Sequence, residues 1–243
     1  MSNRWRTREA VGAVNGLRRK LHSYGCDLDP VCSVDPSVLA QAYLDCQIIE
    51  LASLTDRRAM EFLAREWALD VAGEPVEDIP QAGGLYVSES GTHRWIFVES
   101  TDSARRRRFT VAHEIGHLVR EAIPELERAA SSLGTLLPEE SSPRLLKYGR
   151  CAWSPNGPLT KSDKRELDAH DFAAELLMPR EGVRRLIREH FPAGFPTDRE
   201  ISEFVRLLVT VYEVSGEAAE RRVKDFEINA FTEGTNGDLF TAM

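Results

Sequence analysis

The stretch HEIGH, residues 113–117, constrains this chain more than any other feature of its sequence. Residues four apart on an α-helix project from one face, so His113 and His117 can offer imidazole nitrogens to a single ion. Glu114 is rotated by about 100 degrees around the helix, beside that shared face and not on it. A base must stand there to take a proton from a metal-bound water, which is the mechanical content of an H-E-x-x-H pattern. Val111, Ile115 and Leu118 can bury the same helix. Gly116 costs a helix interior about 1 kcal/mol relative to alanine, which implies that another segment packs close. A surface helix with two incidental histidines is the other reading, and these five residues alone leave it open.

Two histidines leave a catalytic zinc short of a third protein ligand. RELDAHDFAAELLMP, residues 165–179, supplies a candidate. Starting from Glu166, the residues on its helical face are Ala169, His170, Ala173 and Leu176 or Leu177, apolar apart from His170. A carboxylate at the end of such a stripe needs a partner, and a metal would serve. A salt bridge or an N-terminal capping charge would serve as well. Asp168 falls about 200 degrees away from Glu166 and is expected to face solvent. His170 could itself be a ligand, but is expected to orient one instead.

The two blocks RRFTVAHEIGHLV and E-x-x-A-x-x-FAAELLMP together resemble the ImmA/IrrE family of zinc metallopeptidases, with weaker similarity toward VYEVSGEAAERRV, over roughly residues 35–228. The resemblance implies that one Zn2+ per chain is held by His113, His117 and Glu166, with Glu114 as the catalytic base. It also implies a protein substrate, often a helix-turn-helix transcriptional repressor cleaved in stress responses or the control of mobile elements. Two features depart from the family pattern. His170 stands where Asn or Asp is common, and the spacer from His117 to Glu166 is longer than usual. A non-catalytic, metal-containing regulator that binds its partner without cutting it, as in stress-response or toxin-antitoxin systems, is the alternative from another class.

The sequence further suggests an α+β protein, mostly helical and zincin-like, with a small β-sheet packed on the motif helix. Residues 1–34 read as a leader, 35–230 as the metallopeptidase domain and 231–243 as a tail. Helices are expected after Asp35-Pro36 through VLAQAYLDC, after Thr55-Asp56, and in RRRRFTVAHEIGHLVRE, ending before Pro124. LYV (85–87) and RWIFVES (94–100) read as paired strands, with LYV either an edge open to an extended peptide or a core strand. Residues 121–164, rich in proline and serine, read as a long irregular excursion with one helical turn near ELERAASSL. Two or three more helices follow, in EGVRRLIREH, TDREISEFVRLLVTVY and SGEAAERRVKDFE, with Thr197 and Ser215 as N-caps of the last two.

Asp and Glu number 39 against 31 Lys and Arg, a net charge of −8, which disfavours a protein that coats nucleic acid. The Arg105–Arg108 run is expected to pair with acidic groups elsewhere, and no direct nucleic-acid contact is expected. No apolar run approaches membrane-spanning length, and the basic N-terminus lacks a signal-peptide core. Cys26, Cys32, Cys46 and Cys151 form no C-x-x-C pair, so they read as reduced thiols in a cytoplasmic protein. Cys151 is a free thiol in this reading and not a zinc ligand. Tyr148 and His190 are candidates for stabilising an oxyanion.

Overall fold

A computed structural model describes residues 4–23, 25, 33–69, 78–133, 145–148, 160–191 and 198–233. Its helices and strands run α1 (Arg4–Ser23), α2 (Pro36–Val38), β1 (Cys46–Leu51), α3 (Asp56–Trp67), β2 (Gly83–Ser88), β3 (Arg94–Glu99), α4 (Ala104–His117), α5 (Ile123–Leu133), β4 (Leu145–Tyr148), α6 (Lys161–Leu177), α7 (Arg180–His190), α8 (Asp198–Tyr212) and α9 (Gly216–Glu233). Two π-helical turns interrupt them, Leu39–Tyr43 after α2 and Leu118–Ala122 between α4 and α5. The fold is α+β, mostly helical around one small sheet.

The sheet has the strand order β1-β3-β2-β4, with β1 parallel to β3 and the other pairs antiparallel. Side chains alternate along β2 and β3, as pleated strands require. Leu85, Val87, Ile96 and Val98 face the motif helix and meet Val111, Ile115 and Leu118 in one core. Tyr86, Trp95 and Phe97 point the other way, against Leu54, Ala59, Met60 and Leu63 around α3. The sheet is therefore covered on both faces. The first residue of α3, Asp56, fixes the fourth strand: its carboxylate accepts from the Tyr86 hydroxyl at 2.6 Å and from the Lys147 ammonium.

Several expectations change. Residues 4–23, read as part of a leader, form a 20-residue helix whose Val14, Leu17 and Leu21 are buried in the main core. The helix expected through VLAQAYLDC stops early, and Cys46 opens a strand, CQIIEL, that sequence reading missed. LYV is no edge: β2 pairs with β3 on one side and β4 on the other, and all six of its residues are buried. β4 and the 11-residue α5 both lie within the stretch read as irregular. Pro124 does not stop the helix. The α-helical part ends at His117, the π-turn widens the chain, with the Ile123 N–H donating to the Leu118 carbonyl five residues back, and α5 begins. Proline is tolerated in that first turn because its missing N–H removes little there. The other expectations for 121–164 fall on 134–144 and 149–159, outside the described residues, as do the Thr197 cap, the end of the tail, Cys26, Cys32 and Cys151.

Local signals elsewhere act as expected. Asp35 accepts from the Ser37 and Val38 N–H groups ahead of Pro36, Thr55 caps α3, and the Ser215 hydroxyl accepts from the Ala218 N–H. The arginine run is tied into the fold. Arg106 pairs with Asp102 at 3.2 Å, and Arg107 reaches the Ser100 carbonyl and Glu50. Arg108 joins three segments, donating to the Tyr212 carbonyl, Glu213, Ser33 and the Val34 carbonyl. Cys46 is free and buried, and burial pushes its thiol up to about 12. Among the described residues, no helix is long and apolar enough to cross a membrane.

Candidate metal centre

Two helices build the site. α4 starts at Ser103, whose hydroxyl accepts from the Arg106 N–H, and runs with full helical spacing through His113 and His117. α6 starts in a capping box in which Thr160 and Asp163 satisfy each other's backbone N–H groups. Gly116 brings the two together. A Cβ at this position would stand 3.0 Å from the Ala169 Cα, 3.1 Å from the Ala169 carbonyl oxygen and 3.2 Å from the Phe172 ring. The glycine is thus an intimate seat for α6, as its helix cost implied. Gly116→Ala gains helix propensity but must push against backbone, so it is expected to lose about 1–3 kcal/mol of stability by overpacking. Chemical denaturation would measure it, and a variant more stable than wild type would contradict the close seat.

The structure brings His113, His117 and Glu166 together, all three buried. One potential ligand atom from each lies within 4.8 Å of the others. His113 Nε2 is 3.2 Å from Glu166 Oε2, His117 Nε2 is 3.1 Å from His113 Nε2, and His117 Nε2 is 3.5 Å from Glu166 Oε1. A tetrahedral ion with ligands at about 2.0–2.1 Å would separate neighbouring ligand atoms by about 3.3 Å, so the donor set fits one small divalent cation. Asp168 stands outside this group and is not simply solvated: it pairs with Arg120 at 3.1 Å. His170 has its ring edge-on to Phe109 at 5.0 Å and its Nε2 3.0 Å from Arg221.

Glu114 is 1% exposed, and its Oε2 is buried without a hydrogen-bond partner. Burial raises its pKa, against the lowering effect of His113 and His117. Such an orphaned carboxylate beside a cluster of metal-type ligands suits a base whose proton donor arrives with a bound group. Gly83 leaves it room, since a Cβ there would stand 2.2 Å from Thr110 Cγ2 and 3.1 Å from Glu114 Oε1.

Sequence reasoning missed Glu121. Its Oε1 lies 2.6 Å from His117 Nδ1. The signal was present, a carboxylate four residues after the second histidine and inside the expected helix RRRRFTVAHEIGHLVRE, but it was not read as a partner of His117. Of the two oxyanion candidates, Tyr148 ends β4 near Glu125 and Glu121, and burial together with those charges pushes its hydroxyl up to about 12. His190 is exposed at the end of α7, its ring beside Phe191.

Burial disfavours a charged His117, but the carboxylates of Glu121 and Glu166 outweigh it and raise its pKa from 6.5 to about 10. The charged form is favoured by the fold, so its contribution is full below 6.5 and lost as pH rises toward 10. Metal-free protein is therefore expected to lose stability across that window. Metal must displace the same proton, so metal affinity is expected to rise with pH over the same range and uptake near neutrality to release protons. Unfolding midpoints with and without zinc, followed against pH, would check both signs.

Residues 69–133 match the family model of the IrrE N-terminal-like domain, Peptidase_M78. This match is consistent with the ImmA/IrrE resemblance of the motif blocks. No curated protein matches the chain. The match points to metallopeptidase-type chemistry. The IrrE-like segment contains His113, Glu114, His117 and Glu121 and ends before Glu166, so the third member of the cluster is placed by geometry alone.

Proposed function

We propose that this chain is a zinc-dependent endopeptidase whose substrate is a protein, of the helix-turn-helix repressor kind. One observation carries the catalytic part: a buried cluster of His113, His117 and Glu166 with the unpartnered carboxylate of Glu114 beside it. His113, His117 and Glu166 would hold the ion. Bound there, zinc would supply Lewis-acid polarisation of a peptide carbonyl and acidify a water molecule. Glu114 takes the proton from the attacking water and passes it to the leaving amine, and its burial favours that transfer by raising its proton affinity. The sheet side of α4 is filled by core side chains, which keeps bulk water away from this carboxylate. The repressor as substrate is supported by the likeness of RRFTVAHEIGHLV and FAAELLMP to the ImmA/IrrE peptidases, which often act on such proteins. The test is to incubate the protein with candidate small helix-turn-helix repressors, with and without a chelator. A discrete fragment that disappears with chelator and returns with zinc is expected. Binding of a repressor with no cleavage under any metal condition would favour a non-catalytic regulator.

A further inference from the structure

We propose that Glu121 is a positioning residue of the metal centre, locking His117 for the ion and coupling the two helices that carry the cluster. The inference rests on the metal reading of His113, His117 and Glu166. Two contacts define the role. Glu121 Oε1 meets His117 Nδ1 at 2.6 Å, short for a neutral hydrogen bond and in the range of a charge-assisted one. Glu121 Oε2 meets the Arg165 guanidinium at 3.3 Å, and Arg165 directly precedes Glu166 on α6.

The first contact selects a tautomer. A carboxylate oxygen against Nδ1 favours the tautomer in which that nitrogen carries the proton and donates it to Glu121. Once metal displaces the other ring proton, Nε2 is left with its lone pair, and it is Nε2 that faces His113 and Glu166. The same bond fixes the ring's rotation, which a fully buried imidazole with polar contacts on both edges needs in order to present that lone pair. The second contact ties this turn to α6 at the residue beside Glu166. Its neighbour Arg120 makes a parallel tie, pairing with Asp168 at 3.1 Å. Both residues sit on the π-turn Leu118–Ala122, so this widened turn is where the ligand helix is fastened to its partner. A π-turn inside a helix is rare and tends to mark functional positions.

A purely structural Glu121 would matter through Arg165. A positioning Glu121 matters through His117. Zinc affinity, measured by competition with a chromophoric chelator at fixed pH, and the visible spectrum of the cobalt-substituted protein separate the two. Glu121→Ala is expected to weaken zinc binding by about 10–100-fold and to change the cobalt spectrum. Glu121→Gln, which keeps an acceptor but no charge, is expected to fall between it and wild type, and it decides the matter should Glu121→Ala fold poorly. Arg165→Ala removes a pair with a largely exposed arginine and is expected to cost at most about fivefold, with the cobalt spectrum unchanged. Wild-type affinity in the Glu121 variants, or equal losses for Arg165→Ala and Glu121→Ala, would overturn the role. Wild type that takes up neither metal would sink the metal reading itself, a distinguishable failure.

Discussion

Glu114→Gln is expected to leave the fold and the bound metal intact while lowering peptide-bond cleavage by about 10²–10⁴-fold, the usual share of a general base. The carboxylate lies off the face shared by His113 and His117, so it is needed for proton transfer and not for coordination. Glutamine keeps its size and polarity and removes its basicity. The variant should also be no less stable than wild type, because a buried carboxylate with an unpartnered oxygen is a cost to the fold. Cleavage of a repressor or of an unstructured protein such as casein, measured beside metal content and the unfolding midpoint, reads all three quantities. Equal cleavage by wild type and variant would remove Glu114 from the chemistry.

The second large effect is expected far from chemistry. Arg222 of α9 is 3% exposed and donates to Glu175 of α6 at 2.5 Å and to the Met178 carbonyl at 2.6 Å. Glu175 also accepts the Arg180 N–H at the start of α7, so this pair holds three helices at one point. Removing one partner of a buried pair leaves the other charge uncompensated, which costs about 3–5 kcal/mol. Arg222→Ala should lower stability by about that amount in denaturant titrations. Metal stoichiometry at low temperature should be unchanged, since Arg222 touches none of His113, His117 and Glu166. A loss below 1 kcal/mol would mean that Glu175 finds another partner or takes up a proton.

The helical part of the fold was legible because local signals and the 3.6-residue period agree in α3, α4, α6, α7, α8 and α9. The site followed from the same arithmetic, since i and i+4 on α4 and one apolar stripe on α6 point His113, His117 and Glu166 the same way. What escaped depends on long-range pairing or on backbone exceptions. β1 is a short apolar run directly after a helix start, and only its parallel pairing with β3 makes it a strand. β4 is four residues long and owes its place to β2 and to the Lys147–Asp56 pair. α1 carries Val14, Leu17 and Leu21 at helical spacing, yet its basic, polar remainder hid a core face. α5 was lost to the assumption that a proline ends a helix, which the π-turn before Pro124 circumvents, while Glu121 lay within the expected helix and was not read as a partner of His117.

The central claim is that His113, His117 and Glu166 hold one metal ion, and elemental analysis of purified protein tests it most directly. Wild type and Asp168→Ala should each carry about one zinc per chain after zinc is supplied, while Glu166→Ala should lose it, because Glu166 belongs to the convergent cluster and Asp168 is engaged by Arg120. Metal-free wild type, or loss of zinc in Asp168→Ala with retention in Glu166→Ala, would contradict the claim.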